Sequence, residues 1–262
     1  MDAAVARDVR AGRGSSPGAP RARIRGRNGG WRLAASALAA GLAACSGGLP
    51  SPGTEQGEEI AGLWRVFVGA AILVGGTVVA LIAWSVLRYR GRGDTPPGDF
   101  REHVSLEILY TALPVLIVAA LFALTVRTER AVDARPPRPA VTVHVTGFTW
   151  QWRFEYVGLG VVVVGSPERS PEMVLPAGER ARFVLTSNDV IHAFYVPGFL
   201  FKRDAIPGRV NEFEVVAPSP GTWRGQCAEF CGLGHATMNF TVRVVPPAEF
   251  RAWLRETGER AA

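Results

Sequence analysis

Two uncharged apolar stretches dominate the first half of the chain. The run "VFVGAAILVGGTVVALIAWSVL" occupies residues 66–87, and a second uncharged run extends over residues 108–126. Each is long enough to cross the hydrocarbon core of a bilayer as an α-helix. A soluble helix of this length should have a polar face, and neither run has one. The pattern therefore predicts transmembrane helices at residues 61–87 and 106–126 rather than buried core helices of a soluble protein.

The segment between the two helices, residues 88–105, is basic. Its four arginines are Arg88, Arg90, Arg92 and Arg101. Short loops rich in arginine remain in the cytoplasm under the positive-inside rule. We therefore expect a helical hairpin whose two outer ends, together with everything after Val126, lie outside the cytoplasm.

The second half of the chain changes to short runs rich in β-branched residues. A linker at residues 127–139 contains "RPPRP", and proline and glycine turns separate runs such as "AVTVHVT", "ARFVLTS", "VNEFEVV" and "NFTVRVV". This pattern predicts a compact antiparallel sandwich or barrel over residues 140–246. The tail, residues 247–262, begins with proline and predicts a short closing helix. The predicted fold class is thus a two-helix transmembrane hairpin followed by an all-β domain.

The net charge of +6 is concentrated at the start of the chain. Residues 1–32 contain eight arginines against Asp2 and Asp8, a surplus equal to the net charge of the whole chain. From Leu33 onward the positive and negative charges balance. The basic composition therefore gives no support for a nucleic-acid partner.

The arginine-rich start leads into the uncharged stretch "LAASALAAGLAAC", residues 33–45. The stretch has the length of a signal-peptide core and is too short to span a bilayer. It ends in Leu-Ala-Ala-Cys, which resembles the lipobox of bacterial lipoproteins. On that resemblance, residues 1–44 are a cleaved signal peptide, Cys45 is acylated, and residues 45–60 form a linker. An ordinary signal peptide with an unrelated cysteine is the alternative, and a start codon further along the chain stays open.

A candidate metal site lies in "GQCAEFCGLGHATM", residues 225–238. Thiolate and thioether sulfur are soft ligands and imidazole is intermediate, so this combination suits copper. An extracytoplasmic cysteine pair could instead form a disulfide, and two cysteines with two histidines could bind zinc. The loop alone leaves these three possibilities open.

A further donor, His192, lies at the end of a β-run 43 residues before His235. A histidine at a strand end combined with Cys, His and Met on one loop is typical of a copper-binding β-sandwich. A single copper centre of that kind needs only one cysteine. Two thiolates, from Cys227 and Cys231, can bridge a pair of copper ions held between the two histidines.

The whole motif C-A-E-x-C-G-x-x-H-x-x-M resembles the dinuclear copper A motif of the cytochrome c oxidase subunit 2 family. The helical hairpin before the β-domain also matches that family. Three further segments resemble its first-histidine segment, its aromatic segment and the start of its second helix: "HAFYVPGFLFKRDAIPGR", "GFTWQW" and "LEILYTALP". The resemblance extends over nearly all of residues 60–245.

The resemblance implies a cupredoxin-like β-domain that holds two copper ions. The implied ligands are His192, Cys227, the main-chain carbonyl of Glu229, Cys231, His235 and Met238. The two cysteines would bridge the ions. His192 and Met238 would complete one ligand set, and His235 with the Glu229 carbonyl would complete the other.

Two acidic side chains have implied roles at the boundary with the catalytic subunit. The Glu229 carboxylate is expected to help hold a magnesium ion there, since Mg²⁺ prefers oxygen ligands. Asp204 is a family-matched acid that lies near the magnesium or the subunit interface on this resemblance. A surface salt bridge with Lys202 or Arg203 is the alternative for Asp204.

Two further residues have implied roles in electron and proton transfer. Trp150 matches the surface aromatic residue that receives electrons from cytochrome c, whereas a tryptophan of such a β-run commonly faces the core. The chain departs from the family at Gln151 and at residues 148–149. Glu107 matches the glutamate at the mouth of a proton path, or is an ordinary helix end where a carboxylate favours the helix dipole. His103 and His144 are assigned no role.

By this resemblance the chain is the electron-transfer subunit of a proton-pumping respiratory oxidase, a translocase of the bacterial plasma membrane. It would take electrons from cytochrome c and pass them to haem in subunit 1, where oxygen is reduced to water. Haem would belong only to the partner subunit, so the chain would not be catalytic alone. The implied partners are subunits 1 and 3, cytochrome c and the lipid bilayer, with no nucleic acid.

The sequence also argues against rival functions and indicates what kind of electron donor to expect. A quinol oxidase subunit 2 lacks the copper ligands, and a copper-delivery protein would expose Met/His clusters that this chain does not have. No C-x-x-C-H motif for an attached haem occurs. From Arg127 onward the chain has 16 basic and 14 acidic residues, so it lacks an acidic excess to steer a basic cytochrome c. The donor is therefore expected to be membrane-tethered, or its docking to be mainly apolar.

Overall fold

The computed structural model describes residues 48–90, 102–136 and 138–261. The predicted signal peptide, Cys45 and most of the predicted cytoplasmic loop lie outside the described residues. The helices are α1 (Glu55–Arg88), α2 (Val104–Val132) and α3 (Pro247–Ala261). All three helices and the β-domain belong to one compact unit, Leu49–Ala262.

Helix α1 begins at Glu55, six residues before the predicted start at residue 61. The Thr54 hydroxyl accepts a hydrogen bond from the backbone N–H of Gly57 at 3.0 Å and so caps the helix. Glu55 and Glu58 lie in the first turn, where negative charge favours the helix dipole. The last part of the predicted linker is therefore the first turn of α1.

Both long helices present apolar side chains outward. Each is long and apolar enough to cross a membrane, and none of its most apolar window is buried against other described residues. Exposed examples along their length include Leu73, Leu87, Leu116 and Phe122. Helices of a soluble core would bury such side chains, so exposure and length together favour the predicted membrane hairpin.

The β-domain is a sandwich of two five-stranded sheets. Its strands are β1 (Val141–Phe148), β2 (Gln151–Tyr156), β3 (Val161–Val164), β4 (Glu172–Pro176), β5 (Arg180–Ser187), β6 (His192–Val196), β7 (Phe201–Ala205), β8 (Asn211–Val216), β9 (Gly221–Cys227) and β10 (Asn239–Val245). The strand orders of the two sheets are β3-β2-β1-β5-β8 and β4-β10-β9-β6-β7. The sandwich confirms the predicted fold class. The pairing is mixed rather than purely antiparallel, because β1 pairs with β5 and β4 with β10 in parallel.

An aromatic core fills the space between the two sheets. The rings of Phe194 and Phe240 are stacked at 4.6 Å, and those of Phe183 and Phe213 at 4.8 Å. Trp152 is fully buried and its ring lies 5.5 Å from that of Phe240. The core therefore extends directly beneath the end of the sandwich where β6 and β9 carry the candidate ligands.

Candidate metal centre

The candidate ligands come from two strand ends and the loop that follows one of them. His192 is the first residue of β6, and Cys227 is the last residue of the neighbouring strand β9. The β9–β10 connection carries Cys231, His235 and Met238, with a 3-10 turn at His235–Thr237. The donor atoms of His192, Cys227 and Cys231 all lie within 4.8 Å of one another, a geometry that could hold a metal ion.

The two cysteine sulfurs form the centre of the site. Both cysteines are free, and their Sγ atoms lie 3.8 Å apart. Cys227 Sγ lies 3.9 Å from His192 Nδ1, and Cys231 Sγ lies 3.6 Å from His235 Nδ1. Cys231 Sγ also lies 3.8 Å from Met238 Sδ. The structure therefore brings together all five side chains predicted as ligands.

A backbone oxygen also faces the sulfur pair. The Glu229 carbonyl oxygen lies 3.2 Å from Cys227 Sγ. This is the main-chain donor that the family resemblance implied for the sixth ligand. The loop thus turns one carbonyl inward, while the carboxylate of the same residue remains about half exposed.

Trp150 and two glycines set the shape of the ligand loop. The Trp150 indole N–H donates a hydrogen bond to the Cys231 carbonyl at 2.9 Å. Gly232 has φ +109°, a backbone conformation that residues other than glycine rarely adopt. A Cβ at Gly234 would lie 2.5 Å from Trp150 Cγ, so only glycine lets the loop approach the indole this closely.

Trp150 and Trp152 have different environments. Trp152 lies in the core, and its indole N–H points to the Met238 carbonyl at 3.5 Å. Trp150 is half-buried and lies between the ligand loop and the surface. Of the two, Trp150 is therefore the tryptophan that a docking protein can contact.

Asp189 supports the histidine of β6, and sequence reasoning missed it. Its Oδ1 lies 2.8 Å from His192 Nε2 and accepts from the Val190 N–H at 2.7 Å. Its Oδ2 accepts from the N–H and hydroxyl of Thr149 at 2.6 and 2.8 Å. A proton held at Nε2 leaves Nδ1 free to bind a metal. The signal that could have identified Asp189 is a carboxylate three residues before a ligand histidine.

The same contacts affect titration of this part of the site. Burial by itself would raise the pKa of Asp189, but hydrogen bonds from His192, Val190 and Thr149 outweigh it and place the pKa well below its ordinary range. Burial would lower the pKa of His192, but Cys227 and Asp189 outweigh burial and raise it. Asp189 is thus a carboxylate at neutral pH and a fixed acceptor for the imidazole N–H.

The two thiols are not equivalent. Burial would raise the pKa of Cys227, but hydrogen bonding to His192 and to the Ala193 backbone lowers it below the ordinary thiol value. Burial raises the pKa of Cys231, and the neighbouring Cys227 raises it further. A nearby positive charge such as a metal ion favours the thiolate form of both cysteines.

The three carboxylates with predicted roles lie outside the sulfur cluster. Glu229 and Asp204 each lie near the Lys202 ammonium, at 3.4 and 3.5 Å, so the salt bridge considered for Asp204 is present. Glu107 lies in the first turn of α2, at the opposite end of that helix from the β-domain. Cys45 lies outside the described residues.

These features define a class of protein: a β-sandwich that follows two apolar helices and gathers soft metal ligands at one end. The profile of the family described as "Cytochrome C oxidase subunit II, periplasmic domain" matches residues 166–245. The probable cytochrome c oxidase subunit 2 of Streptomyces avermitilis is 35% identical over 254 residues, covering 81% of this chain and 79% of that protein. The chain therefore belongs to the cytochrome c oxidase subunit 2 family, and the predicted family is confirmed.

Other comparisons show similarity to the same family. Cytochrome c oxidase subunit 2 of Mycobacterium bovis is 32% identical over 286 residues, covering 84% of this chain and 79% of that protein. The crystal structure of the periplasmic domain of subunit II of the Bradyrhizobium japonicum cytochrome oxidase is 36% identical. The structural match covers 48% of this chain and 99% of that chain, with a TM-score of 0.45. The periplasmic-domain profile and the two apolar helices together indicate a membrane protein with an extracytoplasmic β-domain.

Proposed function

We propose that the chain is the electron-transfer subunit of a proton-pumping cytochrome c oxidase of the bacterial plasma membrane. It accepts electrons from cytochrome c at a centre of two copper ions and passes them to haem in subunit 1. One observation carries the proposal: two cysteine sulfurs 3.8 Å apart, each with a histidine Nδ1 within 3.9 Å. Family membership supplies the oxidase context.

The donor set fits copper better than zinc. A structural zinc ion takes four donors, and two cysteines with two histidines would satisfy it. Here the thioether of Met238 is fully buried and directed at the sulfur pair, 3.8 Å from Cys231 Sγ. A thioether is a soft ligand suited to copper. Met238 and the inward Glu229 carbonyl have no function in a zinc site of this kind, but each would complete the ligand set of one of two copper ions.

Each residue of the proposed site has a separate task. Cys227 and Cys231 would hold both ions, and His192 with Met238 and His235 with the Glu229 carbonyl would complete the two ligand sets. When bound, the copper pair supplies a carrier that takes up and releases one electron at a time. Asp189 holds the His192 ring in one orientation, and the buried Met238 keeps water from the sulfurs.

Trp150 is the residue through which we propose that electrons reach the site. Its indole joins the surface to the Cys231 carbonyl through a single hydrogen bond of 2.9 Å. Two neighbouring loop residues are strongly exposed, Phe230 at 80% and Leu233 at 97%. An apolar surface beside the indole suits a donor that docks without charge steering, as the balanced charges of the β-domain also indicate.

The membrane part of the proposal rests on the helices. Helices α1 and α2 cross the bilayer, and Glu107, in the first turn of α2, collects protons at its cytoplasmic edge for subunit 1. The Glu229 carboxylate reaches a magnesium ion at the subunit 1 boundary, which requires its contact with Lys202 to rearrange on assembly. Subunit 3 is a further partner, and Cys45 carries a lipid after signal-peptide cleavage.

Copper loading of the full chain in detergent tests the proposal. We expect two copper ions per chain and an electron paramagnetic resonance spectrum in which one unpaired electron is shared by two copper nuclei. Cys227→Ser should abolish that spectrum, and Cys45→Ser, remote from the ligand motif in sequence, is the matched control. A single-copper spectrum in the wild type, or stable zinc binding in preference to copper, would contradict the proposal.

A further inference from the structure

The β-domain is joined to both membrane helices by contacts on strand β8 and on one hairpin. This hairpin consists of β6, the 3-10 turn Pro197–Phe199 and β7. Its first residue is the candidate ligand His192, which pairs with Ala205 at the end of β7. Two paired strands therefore connect the turn directly to the metal site.

The segment before α1 contacts the turn of this hairpin. The Gly53 N–H donates to the Gly198 carbonyl at 2.7 Å. A Cβ at Gly57 would lie 2.8 Å from the Phe199 carbonyl oxygen, so the first turn of α1 touches the hairpin backbone. The Trp223 indole closes this contact, with its ring 5.4 Å from that of Phe199.

Gln56, in the first turn of α1, makes the most specific of these contacts. Its side-chain Oε1 accepts a hydrogen bond from the Val216 N–H at 3.0 Å. Val216 ends β8, an edge strand of its sheet, and the Gln56 side chain is only 7% exposed. A buried edge N–H without a partner is costly, so the helix supplies the acceptor that the sheet lacks.

The end of α2 and the segment that follows it are fixed to the same domain. Val132 is buried in the β-domain core, and Asp133 pairs with Arg203 of β7. Arg135 lies 3.3 Å from Glu212 of β8. The outer ends of both helices are therefore fixed to strand β8 and to the β6–β7 hairpin, α1 through neutral hydrogen bonds and α2 through ion pairs.

We infer that Gln56 is a positioning residue for electron transfer out of the metal centre. By joining α1 to β8 it fixes the β-domain, and with it the copper-binding loops, at one height and tilt relative to the membrane helices. The inference rests on the proposed function, because it concerns the step from copper to haem in subunit 1. Docking of the donor involves the surface at Trp150 and the exposed Phe230 and Leu233, and does not depend on this contact.

The test compares Gln56→Met, which keeps length but removes the acceptor, with Gln56→Glu, which keeps an acceptor, in the assembled oxidase. Glu59→Ala, an exposed change on the same helical turn, is the control. In Gln56→Met we expect faster hydrogen–deuterium exchange of the peptide containing Val216 and unchanged copper content. Electron uptake from cytochrome c should be unchanged, while transfer from copper to haem should fall by about tenfold, since displacements of ~1 Å can cost up to about 100-fold. Gln56→Glu should restore much of that rate.

The outcomes separate this inference from the proposed function. Faster exchange at Val216 with an unchanged copper-to-haem rate would overturn the positioning role, and so would unchanged exchange. Equal loss of both electron-transfer rates would mean general disruption and would also overturn it. A wild-type chain without a two-copper spectrum would instead refute the proposed function, whatever the exchange at Val216 shows.

Discussion

The metal centre has two halves that are held in different ways. His192 and Cys227 lie at the ends of neighbouring strands, and the pairing of Phe194 with Cys227 fixes their separation. Cys231 and Met238 lie on the β9–β10 loop, which has fewer backbone hydrogen bonds to the sheets. The strand half is therefore positioned by strand pairing, whereas the loop half is positioned mainly by contacts within the loop.

The largest expected effect comes from removing the sulfur of the loop half. If both sulfurs bridge, Cys231→Ser should abolish the two-copper spectrum as fully as Cys227→Ser, despite the different support of the two residues. Copper content and electron paramagnetic resonance of the full chain measure this. Survival of a two-copper spectrum in either variant would show that the bridge is not shared.

Replacing each of the two tryptophans separates the effect of losing a core side chain from the effect of losing a contact with the ligand loop. Trp152→Ala should cost roughly 3–5 kcal/mol in the free energy of unfolding and lower copper content with it, because it removes a buried ring. Trp150→Ala should keep both coppers and slow electron uptake from cytochrome c by about tenfold or more, since it removes a positioned contact. Melting temperature, copper content and single-turnover reduction are measured on one preparation. Joint loss of stability and copper in Trp150→Ala would refute its role in electron transfer.

Asp189 tests the support of the strand half. Asp189→Asn should weaken copper binding by roughly 10- to 100-fold, the usual cost of losing a carboxylate behind a ligand histidine. Competition with a copper chelator measures the change. Glu168→Gln, which changes an exposed carboxylate outside the ligand segments, is the control. Equal affinity in Asp189→Asn and wild type would mean that the strand alone fixes the His192 ring.

Metal removal tests the comparison directly. We expect the copper-free chain to exchange amide hydrogens faster in residues 228–238, while β6 and β9 keep their protection, because only the loop half lacks strand pairing. Hydrogen–deuterium exchange with and without copper measures the difference. Equal loosening of the strands would show that both halves need the metal.

The smallest effect is expected at the exposed surface. Leu233→Ala should weaken docking of cytochrome c by about 1 kcal/mol or less, since most interface positions are nearly neutral to truncation. The Michaelis constant for cytochrome c is the measurement. Leu159→Ala is the matched control, because Leu159 is also exposed but lies in the β2–β3 turn. Equal effects of the two changes would remove Leu233 from the docking surface.

The sequence was sufficient for the features that depend on local pattern. The absence of a polar face predicted α1 and α2, and the resemblance of residues 225–238 to the copper A motif predicted that Cys227, Cys231, His235 and Met238 meet. The ligand types alone left zinc and a disulfide open, so the assignment to copper depended on the family resemblance.

Long-range features had no comparable local signal. The parallel pairing of β1 with β5 depends on how distant strands are arranged, and alternation of apolar residues is the same in either direction. Asp189 and Thr149 meet across 40 positions, so neither looks significant alone. The early start of α1 was missed because its first turn, around Gln56, has the polar composition of a linker.

The hydrogen bond from Val216 to Gln56 joins residues 160 positions apart, with both long helices between them in the chain. In the proposed topology each of those helices crosses the membrane, so the two partners meet only if both have arrived on the same side. The bond can thus form only after most of the chain has been synthesised, since its acceptor emerges from the ribosome long before its donor. A chain inserted with one helix missing or reversed would leave the edge of β8 open, and an open strand edge invites pairing with other chains. In the proposed topology, the contact would therefore form only in molecules whose two helices have both inserted in the proposed orientation.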